Sequence, residues 1–277
     1  MVTISRRHTE SVVQRSSRRG SPPVLNEKVV EMPVVNPAPR EFVQRRESAD
    51  SSRVNAVVAG VLFIVATAAS LLSGPFLAPV TDSGSLGDAA AHQSQVATGV
   101  LLVFIAALAA PGIAVALYPV LRKFGEGLAL GAVAFRIMEG VFYALGMMVL
   151  LSLSTLSVAF VDAGSPPDQH FTTLGQTMLA QYHWLVDVGL LLAFSLGGLL
   201  YYVVFYRSRL IPRWLSVWGI GGVVLLMIAA VLLIFGVISP MSPGQIALAA
   251  PIGLQEMVLA VWLIVKGFDR SVLRPRS

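Results

Sequence analysis

The chain has 277 residues, of which 55% are hydrophobic and 13% are charged, and its formal net charge is +5. A typical soluble domain carries about 25% charged residues, so this composition argues against a soluble enzyme, a disordered protein and a coiled coil. The sequence contains no cysteine, which excludes disulfides, thiolate metal sites and cysteine nucleophiles. These proportions predict an integral membrane protein.

The first 53 residues differ from the rest, because they combine ten Lys or Arg with six Asp or Glu and are rich in Ser and Pro. They contain no apolar run long enough for the core of a secretory signal. Such a segment cannot bury enough apolar surface to fold, so we predict a disordered basic cytoplasmic tail over residues 1–53. Acidic residues are mixed among the basic ones and Phe42 is the only aromatic residue there. We therefore expect no nucleic-acid partner and favour contact with anionic lipid headgroups.

The rest of the sequence contains six stretches that could each span a membrane, since a helical span needs about 20 mostly apolar residues. Their approximate limits are Val54–Leu77, Val96–Leu121, Leu128–Phe160, Met178–Tyr206, Trp214–Ile238 and Ile246–Val265. Continuous apolar runs favour helices, which satisfy their own backbone hydrogen bonds in lipid. The sequence predicts an all-α polytopic membrane protein, with a six-helix bundle over residues 54–268.

The distribution of Lys and Arg predicts the orientation of these spans. If there are six spans, nineteen of the twenty basic residues lie in segments on one side of the membrane. The three opposite loops, 78–95, 161–177 and 239–245, contain no basic residue. Basic residues concentrate on the cytoplasmic side. We therefore predict a multi-pass protein of the cell membrane with both termini in the cytoplasm, ending in a short tail over residues 269–277.

Polar and ionisable side chains interrupt three of the predicted spans. They are Arg136, Glu139 and Tyr143 in the third span, His183 and Asp187 in the fourth, and Gln255 and Glu256 in the sixth. Residues three or four apart share one face of a helix, so the sets in the third and fourth spans each project from their helix in one direction. A charge that faces lipid near the bilayer centre is costly, so we expect these side chains to face the bundle interior and to pair with one another.

One arginine among Glu139, Glu256 and Asp187 allows two interpretations. In the first, Arg136 lies between the two glutamates as a structural lock that joins the third span to the sixth. In the second, the surplus of carboxyl groups means that some are protonated, that a cation binds, or that water reaches Asp187. Protonation or cation binding suits a proton relay, a cation-coupled transporter or a catalytic pocket. We favour the second interpretation, because ionisable residues inside the membrane usually mark function.

The pair His183-x-x-x-Asp187 has the spacing of metal ligands on a helix, and Glu139 or Glu256 could add a further oxygen ligand. A histidine near the end of a span that bonds to an aspartate is the commoner arrangement, so we predict no metal. We also expect no cofactor. The segment Gly219-Ile-Gly221-Gly222 lacks the strand and helix context of a dinucleotide-binding loop, and predicts close helix packing instead.

Four separated segments carry recognisable motifs: Gly112-Ile-Ala-Val-Ala-Leu-Tyr-Pro-Val-Leu121, Phe135-Arg136-Ile-Met-Glu139-Gly140, Ile211-Pro-Arg-Trp-Leu-Ser-Val-Trp-Gly219 and Gln255-Glu-Met-Val-Leu-Ala-Val-Trp-Leu-Ile-Val-Lys-Gly-Phe268. In this order they resemble the motifs of a bacterial membrane family, domain of unknown function 4386. The resemblance covers about residues 50–270. It implies a six-span helical membrane protein of unassigned activity with Arg136, Glu139 and Glu256 at its polar centre, and it implies no substrate.

The leading functional hypothesis is a polar pocket between spans three, four and six that opens toward the outer face and binds or moves a small molecule or a proton. The second hypothesis is a non-catalytic membrane scaffold or partner subunit in which the ion pairs are structural. The third is an intramembrane lipid-modifying enzyme, which we favour least because the sequence lacks the acidic metal-binding repeats common in such enzymes. The expected partners are the lipid bilayer and a small-molecule ligand, and the oligomeric state is left open.

Overall fold

Every regular element in the described part of the chain is helical. The computed structural model describes residues 38–81, 85–165 and 169–273. The elements are α1 (Ala38–Thr81), α2 (Leu86–Ala91), α3 (Gln93–Asp162), α4 (Gln169–His183), a π-helical segment (Trp184–Leu190), α5 (Leu191–Ser208), α6 (Arg213–Ile234), α7 (Pro243–Val265) and α8 (Arg270–Leu273). The all-α prediction is confirmed for these residues.

Five helical runs are long and apolar enough to cross a membrane by length and composition. They are Asp50–Thr81, Gln93–Asp162, Gln169–Ser208, Arg213–Ile234 and Pro243–Val265. The run Gln169–Ser208 is continuous through α4, the π-helical segment and α5. A chain with several such helices is a multi-pass integral membrane protein.

Helix α3 is folded back on itself as a hairpin. It contains 70 residues, which would extend for about 105 Å as one straight helix, several times the thickness of a bilayer core. Gly125 has non-helical backbone angles (φ 170°, ψ 85°) and separates residues 93–124 from residues 126–162. The two halves touch, because a Cβ added to Gly140 would lie 2.9 Å from the carbonyl oxygen of Ala107.

The limits of several helices differ from the predicted ones, and most of the helices are longer than predicted. Helix α1 begins at Ala38, so residues 38–53 of the predicted tail are helical, and residues 1–37 lie outside the described part of the chain. Helices α2 and the first part of α4 lie in predicted loops, and α6 ends at Ile234 rather than Ile238. Hydropathy predicts only the apolar length of a helix. Polar residues with good helix propensity can continue the helix beyond its apolar stretch, so the helix is longer than the predicted span.

Close packing among α5, α6 and α7 forms the core beside the polar site. A Cβ added to Gly219 would lie 2.4 Å from the Tyr202 ring, and one added to Gly222 would lie 2.9 Å from Cβ of Ile252. This confirms the close packing predicted for Gly219 and Gly222, since small residues let helices in membranes approach closely. A Cβ added to Gly221 would meet no described atom within 4 Å, so that glycine does not take part in the packing. The rings of Tyr201 and Tyr202 are fully buried in this core.

Candidate polar site between the helices

Arg136 joins three helices through hydrogen bonds. Its Nη1 donates to Oε2 of Glu139 at 3.0 Å, and its Nη2 donates to Oε1 of Glu256 at 3.1 Å. Nη2 also donates to the hydroxyl of Tyr201 at 2.7 Å. Arg136, Glu139 and Glu256 are buried, with 2%, 3% and 7% of their surface exposed. The predicted ion pairs of Arg136 with both glutamates are therefore present, and they connect α3 to α7 while Tyr201 adds α5.

Three aromatic rings also lie close to the guanidinium group. Cζ of Arg136 lies 4.5 Å from the ring centre of Phe194, 5.4 Å from that of Tyr201 and 5.9 Å from that of Phe63. The electron-rich ring faces attract a cation, and the attraction is larger when water is excluded. Nε of Arg136 is buried and has no hydrogen-bond partner among the described residues. Buried Arg136 thus has ion-pair partners, aromatic neighbours and one unpaired donor, its Nε.

Tyr143 extends the polar face of α3 toward α1. It lies one helical turn beyond Glu139, so its side chain follows that of Glu139 along the same face. The hydroxyl groups of Tyr143 and Ser70 form a hydrogen bond of 2.8 Å. This bond connects α3 to α1 within the row of polar side chains that begins at Arg136.

A cavity of about 190 Å³ contacts this polar row. Four predicted site residues line it, namely Arg136, Glu139, Tyr143 and Glu256. The rest of the lining consists of Thr67, Ser70 and mostly apolar residues: Phe63, Ala66, Leu71, Ala106, Ile113, Phe194, Leu226, Ala249, Ile252 and Gly253. The cavity therefore has one polar wall and otherwise apolar walls, an arrangement common in small-molecule sites.

The cavity reaches the bundle surface between α1 and α7. These helices are in close contact at one end, where a Cβ added to Gly60 would lie 2.7 Å from the carbonyl oxygen of Ala260. Beside the cavity, Gly253 of α7 faces open space, because a Cβ added there would meet no described atom within 4 Å. Leu71, which also lines the cavity, has 74% of its surface exposed. The opening is therefore on the side of the bundle rather than at its end.

Gln255 lies apart from this cavity, although it is next to Glu256 in sequence. It accepts a short hydrogen bond from the hydroxyl of Tyr202, and its Nε2 donates to the carbonyl oxygen of Leu215 at 3.1 Å. Adjacent residues on a helix point in different directions, so Gln255 faces α5 and α6 while Glu256 faces the cavity. Its visible role is to connect the three helices.

His183 and Asp187 form a separate polar group. Nδ1 of His183 lies 2.7 Å from Oδ2 of Asp187, and Nε2 of Gln245 donates to Oδ1 of Asp187 at 3.4 Å. Neither His183 nor Asp187 lines the cavity beside Arg136. Among the residues that the structure describes, no group of three His, Asp or Glu side chains lies together in a way that would hold a metal ion.

Several residues of the polar site lack any signal in the sequence. Tyr201, Phe194 and Ser70 lie in apolar or small-residue stretches, where an aromatic ring or a serine normally indicates packing. Outside the polar site, Arg53, predicted above to lie in the tail, donates from its guanidinium group to the carbonyl oxygens of Leu263, at 3.1 Å, and Ile264 near the end of α7. Its position just before the first apolar span is the only indication that the sequence offers.

The fold and the site together define a multi-pass helical membrane protein with a buried cluster of ion pairs beside a small cavity. Residues 58–267 match the family model described as Domain of unknown function (DUF4386). The chain belongs to this family. The match includes every residue that lines the cavity. The family description assigns no activity. No curated protein and no solved structure matches the chain.

Proposed function

We propose that the chain crosses the cytoplasmic membrane six times, with both termini in the cytoplasm. The α3 hairpin supports two crossings, because each half exceeds the roughly 20 residues that a span needs. Arg122 and Lys123 are exposed at its bend, which fits a short loop on the basic side. Six crossings also leave the loops opposite this bend without basic residues.

We propose that the cavity beside Arg136 binds a small molecule or moves a proton. The observation that carries this proposal is a buried Arg and two buried Glu lining a cavity that reaches the bundle surface. Ionisable residues at such a depth are costly and mostly mark ligand or ion pathways. A volume of about 190 Å³ is below the range of drug-sized pockets, about 300–1,000 Å³, so the ligand is small.

The charges of the cluster indicate what such a ligand offers. One guanidinium group faces the carboxyl groups of Glu139 and Glu256, so the cluster has one negative charge in excess when both carboxyls are ionised. A proton or the positively charged group of a ligand would neutralise this excess. The apolar walls formed by residues such as Ile113 and Ile252 suit an apolar remainder. We therefore propose a small amphiphilic amine or a proton as the occupant.

Proton movement is tested with the purified full-length protein in liposomes. An inward proton gradient is applied and the internal pH is followed with a trapped dye. We expect uptake above that of protein-free vesicles for the wild type, and uptake at the protein-free rate for Glu256→Gln. Glu126→Gln is the matched control, because Glu126 is exposed beside the α3 bend, and we expect it to behave as the wild type.

Ligand binding is tested with the same three proteins in detergent. Small amphiphilic amines and their neutral isosteres are screened for an increase in melting temperature. We expect stabilisation by amines that is present in the wild type and in Glu126→Gln and absent in Glu256→Gln. The proposal fails if no compound stabilises the protein through Glu256 and if proton uptake equals that of protein-free vesicles.

A structural lock is the second candidate, and the bonding of Arg136 to α3, α5 and α7 favours it. In that case the protein is a membrane scaffold or partner subunit, and the ion pairs hold its helices in register. Melting temperatures of Glu139→Gln and Glu256→Gln distinguish the two candidates. A lock requires both variants to melt well below the wild type. In a working pocket the buried charges lower the stability of the wild type. Replacing one of them would then leave the melting temperature as high as that of the wild type or raise it in at least one variant.

A further inference from the structure

A second cavity lies at the end of the bundle where α5 ends, α6 begins and α7 ends. Its volume is about 450 Å³. Three basic residues line it, namely Arg209, Arg213 and Lys266, together with Trp262 and a single acidic residue, Asp269. It shares no lining residue with the cavity beside Arg136. We call it the basic cavity.

The positive charges of the basic cavity are not neutralised by ion pairs within the described ranges, although Cζ of Arg213 lies 5.3 Å from the ring centre of Tyr206. Within the described ranges, no carboxylate lies within ion-pair distance of Arg209, Arg213 or Lys266. The carboxylate of Asp269 is already engaged, since its Oδ1 accepts hydrogen bonds from the backbone N–H of Ser271 at 2.8 Å and from the Ser271 hydroxyl at 2.7 Å. These bonds lower the pKa of Asp269. The lining therefore has three basic side chains and one carboxylate, and that carboxylate is hydrogen-bonded to Ser271.

The backbone around the basic cavity is held in place. The backbone N–H of Asp269 donates to the carbonyl oxygen of Leu210 at 2.9 Å, which joins the loop before α6 to the segment after α7. Leu210 and Ile211 are buried beneath the cavity. Helix α6 begins here after Pro212, and no side chain caps its first turn. The free N–H groups and the helix dipole at such an end favour an anion.

An apolar groove continues from the basic cavity along the outside of α7. It is lined by Met257, Val258, Val261, Trp262, Val265 and Lys266, so Trp262 and Lys266 belong to both surfaces. Val261 and Val265 are exposed, at 55% and 64% of their surface. Because α7 is long and apolar enough to cross a membrane, this groove faces hydrocarbon chains.

We propose that the basic cavity and the groove together bind one anionic phospholipid. The phosphate lies among Arg209, Arg213 and Lys266, where charge-assisted hydrogen bonds to phosphate are strong. One acyl chain lies along the groove of α7, with Trp262 at the boundary between headgroup and chain, the depth that tryptophan prefers. Basic pockets between membrane helices recognise acidic headgroups in this way. A zwitterionic lipid of the same chain length binds more weakly, because its own cation opposes the three basic residues.

The test measures lipid binding to the full-length protein in detergent by native mass spectrometry. Phosphatidylglycerol and phosphatidylcholine with identical acyl chains are titrated separately. The test variant is the double substitution Arg213→Gln with Lys266→Gln. The matched control is Arg122→Gln with Lys123→Gln, which removes the same charges at the α3 bend, outside both surfaces. Melting temperatures without added lipid confirm that each variant is folded.

We expect phosphatidylglycerol to bind the wild type and the control equally and more tightly than phosphatidylcholine. The test variant should bind phosphatidylglycerol about 20- to 30-fold more weakly, because each basic residue near an acidic headgroup contributes roughly a fivefold increase in affinity. The proposal is overturned if the test variant binds as tightly as the wild type, or if phosphatidylcholine binds as tightly as phosphatidylglycerol.

A third variant separates a lipid from a free phosphate compound. Val261→Trp places a bulky side chain in the groove and leaves the basic cavity unchanged. We expect it to weaken phosphatidylglycerol binding while soluble glycerol phosphate binds as it does to the wild type. If Val261→Trp leaves phosphatidylglycerol affinity unchanged, or if glycerol phosphate displaces the lipid at equal concentration, the site recognises phosphate alone and the lipid proposal is wrong.

Discussion

The Arg136 cluster and the His183–Asp187 pair each contain two side chains about one helical turn apart, yet their surroundings differ. Arg136 and Glu139 are three residues apart, with 2% and 4% of their side-chain surface exposed. His183 and Asp187 are four residues apart, with 29% and 13% exposed. Among the described residues, only the first group gains a second carboxylate and a tyrosine from other helices. The comparison shows that spacing along a helix determines which side chains pair. We expect burial to determine how much free energy of unfolding is lost when one partner is removed.

The largest effect is expected when the only cation of the buried cluster is removed. Arg136→Met leaves Glu139 and Glu256 facing each other without a counter-charge, so we expect a loss of about 3–5 kcal/mol in the free energy of unfolding. Thermal or denaturant unfolding in detergent measures it. Arg122→Met is the control, because Arg122 is exposed at the α3 bend. An Arg136→Met protein as stable as the control would show that burial adds nothing to the ion pairs.

A smaller loss is expected when the contact between Arg136 and α5 is removed. Tyr201→Phe keeps the ring and deletes the hydroxyl that accepts from Nη2 of Arg136. Hydrogen bonds to charged groups contribute about 1.5–3 kcal/mol, so we expect a loss within that range. Unfolding measurements on Tyr202→Phe, whose hydroxyl donates to the neutral Gln255, provide the comparison. An equal loss in both variants would contradict a special contribution from the charge.

Removing a neutral hydrogen bond at the same cavity should cost less again. Tyr143→Phe deletes the hydroxyl that bonds to Ser70 and leaves the ion pairs intact. A bond between neutral groups contributes about 1 kcal/mol, so the free energy of unfolding should fall by about that amount. Ser70→Ala should give a similar loss, and the double variant should lose no more than either single variant plus a few tenths of a kcal/mol. Fully additive losses would argue that the two hydroxyls do not act on each other.

The smallest effect is expected at the second polar group. Asp187→Asn keeps the shape of the side chain and its ability to bond to His183 and Gln245, so we expect a loss of about 1 kcal/mol or less. The melting temperature of this variant is compared with that of Arg136→Met, which removes one member of the buried cluster. A larger loss for Asp187→Asn than for Arg136→Met would reverse the ranking of the two groups.

Local pairing within one helix was predictable, because three- and four-residue spacing determines which side chains share a helix face. Both the Arg136–Glu139 pair and the His183–Asp187 pair follow from that rule. The contact of Arg136 with Glu256 followed from a different argument, the cost of leaving a charge unpaired in a membrane. Neither argument could identify Tyr201 or Phe194, because an aromatic residue in an apolar span has the same local sequence whether it packs against leucine or against arginine.

The sequence by itself determined that this is a membrane protein whose described part is helical and contains a polar cluster, because composition, apolar length and helical spacing depend only on the order of residues. Tertiary structure alone decided which polar residues share the cavity and that it opens between α1 and α7. It also decided that His183, Asp187 and Gln255 lie apart from it. These outcomes depend on how helices approach and rotate against one another, and close contacts such as that of Gly60 with Ala260 set that geometry.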